Sequence, residues 1–182
     1  MLFFILLGIA TPCTLLDGES SSKAKPSLTK CYKYNKDACC VSAHDQKISD
    51  DYEKMFSSQC LREYDNLENY FCYGCNPSQA DSIDEDEKTI TICKGFAESV
   101  WGTNLFKPSQ NFDNCGMNTF WRGDDSETVV PSAEWSNGYQ FFWEVKPTFF
   151  EDYTILIRDS SDDDKCYSSA EILALGVILF SF

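Results

Sequence analysis

Apolar positions recur at helical spacing in the first half of the chain and at strand spacing near its end. From Ser49, a capping serine and an acidic first turn (Asp50, Asp51) precede Tyr52, Met55 and Phe56 at i, i+3 and i+4, which predicts a first helix. After Cys60, a stripe of Leu61, Tyr64, Leu67 and Phe71 predicts a second helix that carries Cys72 to its last turn. Cys93, Phe96, Ala97, Val100 and Trp101 form a complete apolar face and predict the third. Residues Leu105 to Ser136 are loop-rich, punctuated by Pro108, Gly116, Gly123 and Pro131. Tyr139–Val145 and Tyr153–Ile157 are aromatic and β-branched and predict two strands, and Pro147 in their link argues against a tight hairpin. The expected fold is a small α+β domain, helices first, with a short antiparallel sheet late and long loops.

The ends change this picture. The chain has 182 residues, enough for one domain. Met1–Ala10 (MLFFILLGIA) is apolar, too short to span a bilayer, and closes on a small-x-small pattern, so residues 1–10 are expected to be a signal peptide. Ile172–Phe182 (ILALGVILFSF) follows small residues and an acidic stretch, the order of a glycosylphosphatidylinositol attachment signal over 168–182. A buried terminal strand or helix is the alternative for that run. Residues 11–167 then form a cysteine-rich domain at the cell surface, which meets a membrane only through a lipid anchor. Ten cysteines agree with an oxidising, extracellular compartment. A single CxxC (Cys72 to Cys75), with no second one and no HxxxH, disfavours zinc, and no βαβ pattern supports a redox pair. Two structural half-cystines and no cofactor are expected.

Charge narrows the partners. A net charge of −14 disfavours nucleic acid and anionic lipid headgroups. The run Asp81–Glu87 lacks the glycine and ligand spacing of a calcium loop and reads as a solvated acidic loop. Proline blocks the one Asn-x-Ser candidate, Asn76-Pro77-Ser78, as a glycosylation site.

His44 is the only histidine, four residues after the pair Cys39-Cys40 and just before Asp45. The stretch superficially resembles the CC…HD signature of secreted phospholipases A2. Three intervening residues instead of two turn the histidine by about 100° on a helix. Lys47 stands where that family has a further cysteine, and no glycine-rich calcium loop lies upstream. No G-x-S-x-G elbow or independent triad replaces it. His44 is expected to be an exposed loop residue before the first helix, and the protein a non-enzyme.

The cysteine order carries a second resemblance. Cys31-x(7)-Cys39-Cys40, then Cys60, then Cys72-x-x-Cys75-Asn76-Pro77, then Thr91-Ile92-Cys93-Lys94 with Trp101 downstream, resembles the folate receptor family. That family also includes riboflavin-binding protein and an egg-surface protein that binds a sperm protein. The likeness is strong over 31–101 and weaker beyond. Transferred family connectivity implies Cys13–Cys39, Cys31–Cys72, Cys40–Cys75, Cys60–Cys115 and Cys93–Cys166. Family cysteines missing here lack their partners too; Ala97 and Asn104 occupy two such positions. Each bridge is worth about 2–4 kcal/mol by restricting the unfolded chain. The pairing requires cleavage to spare Cys13 and Cys166, hence after Ala10 and near Ser168 or Ser169.

The resemblance also implies where a ligand would sit. The family's pterin-holding aspartate and tyrosine correspond to Tyr70 and Gly74, and its W-R-x-x-R clamp to Ser82, Ile83 and Asp86. Its tryptophan-rich loop has no counterpart in Lys107–Gln110. Glu134–Tyr139 resembles the W-T-x-S-Y stretch that stacks on the pterin, so Trp135 and Tyr139 join Tyr70 and Gly74 as candidate ligand-binding residues. Two functions follow. One is a receptor for a small aromatic-ring ligand of the folate, pterin or flavin class, which predicts an open cleft beside Trp135. The other is a module that recognises an extracellular protein partner, which predicts that cleft filled and an aromatic patch exposed.

Overall fold

Two adjacent cysteines organise the N-terminal half. Cys39 is bonded to Cys13 and Cys40 to Cys75, while Cys31 reaches Cys72 and Cys93 reaches Cys166. Both cysteines of the CxxC are therefore half-cystines with distant partners. The computed structural model describes residues 12–55, 65–109, 116–118, 129–131, 135–159 and 165–168. The Cys60–Cys115 pairing, Phe56, Leu61, Tyr64, the apolar start and the apolar tail lie outside the described residues.

Helix α1 spans Ser42–Met55, α2 Asp65–Phe71, α3 Lys94–Trp101 and α4 Gly138–Glu144. A 3-10 turn, Cys72–Cys75, continues α2 through the CxxC. Strands β1 (Ile83–Asp84), β2 (Thr89–Cys93) and β5 (Thr154–Arg158) form a sheet in the order β1-β2-β5, and β3 (Gly116–Asn118) pairs antiparallel with β4 (Val129–Pro131). The result is a small disulfide-rich α+β domain. No helix among the described residues is long and apolar enough to cross a membrane.

Three features differ from the sequence reading. First, α1 begins at Ser42, seven residues before Ser49, so His44 lies in its first turn and not in a loop. Second, the main sheet is mixed: β1 runs antiparallel to β2, but β2 pairs in parallel with β5, from Thr89 opposite Thr154 to Cys93 opposite Arg158. Third, of the expected strand Tyr139–Val145, residues 139–144 are helical and Val145 is the extended residue that ends the helix. Phe141, Phe142 and Val145 are buried, whereas Tyr139 and Trp143 are exposed. Two consecutive buried residues break the alternation that a half-buried strand needs, and with the buried Gly138 the set 138, 141, 142, 145 has the i, i+3, i+4, i+7 spacing of a helix face. Asn137 caps it, its Oδ1 accepting from the Gln140 backbone N–H at 2.9 Å, while Gln140 Oε1 accepts from the Ser136 N–H at 3.0 Å.

The expected face of α3 is buried: Phe96, Ala97, Val100 and Trp101 join one core with Tyr70, Phe71, Tyr73, Phe141 and Phe150. Cys93 ends β2 and caps α3, so one bridge anchors both a strand and a helix to the C-terminal segment. Gly102, at φ 84°, ends α3 in the left-handed conformation that glycine adopts without penalty.

Candidate functional site

Asp45 and His44, side by side in α1, do different work. The buried Asp45 carboxylate accepts four hydrogen bonds: from the N–H groups of Thr29 (2.6 Å), Lys30 (3.1 Å) and Cys31 (2.7 Å), and from the Thr29 hydroxyl (3.0 Å). It pins the segment before the Cys31–Cys72 bridge to the helix. His44 meets the Phe149 ring edge-on at 5.2 Å, and its Nδ1 accepts from the Val41 N–H at 3.4 Å. Burial lowers its pKa below the ordinary value, against a smaller opposing pull from Asp17. The sequence offered no signal for Asp45 beyond its place beside His44.

The four candidate ligand residues fall into two groups. Trp135 is 1% exposed, edge-on to Phe141 at 5.3 Å, and its indole N–H donates to Glu144 Oε2 at 3.1 Å. Tyr70 is equally buried, edge-on to Phe71 and Phe142, with its hydroxyl donating to the Val145 carbonyl at 2.8 Å. Gly74 has no open space on its side-chain face: a Cβ there would meet Leu15 Cδ1 at 2.7 Å and Phe150 Cε2 at 3.0 Å. These three belong to one packed core.

Tyr139 stands outside it. It is 39% exposed and lies against the exposed ring of Phe106 at 5.1 Å. Trp143, one helical turn on and 70% exposed, shares its side of α4. Phe106 is itself 72% exposed, so three aromatic residues that a core would bury face outward together. Sequence reasoning missed Phe106 and Trp143; reading Asn137-x-x-Gln140 as a capping box makes 139 and 143 the outer face.

Lysines border this face. Lys146 Nζ is 5.7 Å from the Trp143 ring centre and donates to the Phe142 carbonyl at 2.9 Å. Desolvation lowers its pKa to about 8. Lys94 pairs with Asp159 at 3.3 Å and lies within electrostatic reach of Tyr139.

Of the residues at the clamp positions, Ser82 is buried with its hydroxyl 2.9 Å from that of Tyr73, and Ile83 opens β1. The Asp86 N–H closes a turn onto Asp84 Oδ1 at 3.1 Å. Among the described residues no three His, Cys, Asp or Glu side chains converge as metal ligands. No known family model matches the chain, and no curated protein matches it. Four disulfides mark a secreted or extracellular protein.

Proposed function

We propose that this chain is a non-enzymatic extracellular recognition module, built on a folate-receptor-like scaffold, that binds a protein partner through the aromatic face of α4. The observation that carries the proposal is the contrast in burial between Trp135 and Tyr70, both sealed in the core, and Phe106 and Trp143, both largely exposed. Tryptophan and tyrosine are the residues most often responsible for binding energy at protein interfaces, and exposed aromatic clusters on a monomer mark such surfaces. Lys146 beside Trp143 adds a cation to this face, whereas Lys94 at its border is already offset by Asp159, so the face suits a partner with an apolar groove. Agreement of the four described bridges with the connectivity implied by the resemblance supports the scaffold reading. A lipid anchor after Ser168 or Ser169 would hold the module at the cell surface.

A receptor for a flat vitamin-like ring is the competing reading. Titration of the disulfide-intact domain with folate, 5-methylfolate and riboflavin, followed by tryptophan fluorescence, separates the two. The proposal expects no saturation at micromolar concentrations. Saturation that disappears in Trp135→Ala would overturn it.

A further inference from the structure

A cavity of about 650 Å³ lies between the 3-10 turn Thr14–Leu16, the β1–β2 hairpin and residues 149–153. It shares no described lining residue with the aromatic face of α4, and its size is that of a small-molecule site. Leu15, Ile83 and Phe149 supply apolar wall, and Tyr153 a buried aromatic ring.

One side of the cavity already displays its chemistry. Lys88 Nζ sits 4.6 Å above the Tyr153 ring, 3.0 Å from its hydroxyl and 3.6 Å from Glu85 Oε2, while the Tyr153 hydroxyl donates to Glu85. An ammonium is thus held by an aromatic face and a carboxylate. Lys88 is the one lysine in the lining and faces three carboxylates there, Glu85, Asp152 and Asp17, the first two within its electrostatic reach. Neither Asp152 nor Asp17 is ion-paired among the described residues. The lining therefore carries an excess of negative charge beside aromatic and apolar surface.

The backbone is also specialised here. Among the described residues three non-glycine positions have positive φ: Asp17 at 53°, Lys88 at 50° and Phe149 at 75°. All three line this cavity. Such conformations are unfavourable for bulky residues and gather at binding sites, where surrounding structure enforces them.

We propose that this cavity binds a small organic cation, an amine or guanidine joined to an apolar or aromatic body. The charged end is met by Asp17 and Asp152, and the body lies against Leu15, Phe149 and Ile83. This site is independent of the α4 face, and its ligand has the opposite charge to the glutamate tail of folate.

The test is calorimetric titration of the disulfide-intact protein with 2-phenylethylamine, and with 2-phenylethanol and 3-phenylpropionate as neutral and anionic counterparts. The amine is expected to saturate, with the alcohol and the acid each weaker by about tenfold or more. The double variant Asp17→Asn, Asp152→Asn is expected to lose about tenfold in amine affinity. Both positions are exposed, and asparagine tolerates the left-handed backbone of residue 17, so the variant keeps its fold. Unchanged circular dichroism would check this. Equal binding of amine and alcohol, undiminished amine affinity in the folded double variant, or no saturation would each overturn the proposal.

Discussion

The hydroxyls of Tyr34 and Tyr167, 133 residues apart, meet at 3.0 Å in the core, and that of Tyr167 also donates to the Asn69 carbonyl at 3.2 Å. One tyrosine pair thus joins the segment after Cys31, the end of α2 and the segment held by Cys166. Tyr167 is edge-on to both Tyr73 and Phe96, so its ring is fixed as well as its hydroxyl.

Tyr167→Phe removes the atom that serves both neighbours and is expected to cost about 1–3 kcal/mol, because it deprives two buried groups. Tyr34→Phe removes the Tyr34–Tyr167 contact but leaves the one from Tyr167 to Asn69, and is expected to cost less, about 1 kcal/mol. Urea unfolding under non-reducing conditions measures both. A larger loss for Tyr34→Phe than for Tyr167→Phe would contradict the role of Tyr167 as the hydroxyl shared by both neighbours.

Asp45→Ala strands the N–H groups of Thr29, Lys30 and Cys31 without their acceptor. It is expected to destabilise by about 3 kcal/mol or more, in the range for breaking a buried charged network. Asp45→Asn keeps one carbonyl oxygen and is expected to lose less. Hydrogen exchange at residues 29–31 should accelerate in both variants; protection equal to that of the parent would contradict the assigned role.

Two buried glycines separate tight packing from room for a ligand. At Gly138 a Cβ would lie 2.5 Å from Leu105 Cδ2 and 3.1 Å from the Trp101 indole. That indole is buried and donates to the Lys107 carbonyl at 2.8 Å, so it yields poorly. Gly138→Ala is expected to cost about 1–3 kcal/mol. At Gly74 the closest atom, at 2.7 Å, is the flexible end of Leu15, which borders the cavity and can move into it, so that only the Phe150 ring, 3.0 Å away, has to shift within the core. Gly74→Ala is therefore expected to cost less, about 1 kcal/mol, and thermal unfolding of the two variants should rank them in that order.

His44 is the only imidazole, so its titration can be followed by NMR without assignment of others. Its pKa is expected below the ordinary value of about 6.5. The folded state then binds fewer protons than the unfolded state, so this group's stabilising contribution is full above about pH 6.5 and is lost as pH falls through the depressed value. Asp17→Asn removes the opposing attraction and should lower the pKa further. An unchanged titration in that variant would sever the proposed link between the 3-10 turn and α1.

Much of this fold is written locally. The stripe Phe96, Ala97, Val100, Trp101 specifies α3, and its burial follows from the 3.6-residue period. Thr154–Ile157 read as a strand because β-branched residues suit a pleated surface. The four observed cysteine pairs match those implied by the folate receptor resemblance, which spacing alone does not determine. What the local pattern could not specify is which faces find partners. The aromatic composition of 139–145 favours a strand, and the Asn137 cap with core contacts at 141, 142 and 145 overrode it for a helix. That choice turned Tyr139 and Trp143 outward and left Trp135 beneath. Likewise β2 and β5 became parallel neighbours because α3 and α4, which lie between them in the chain, both pack into the core. Sequence determined the α3 stripe and the last strand; tertiary packing decided the rest and which faces are buried, because burial depends on residues that are distant along the chain.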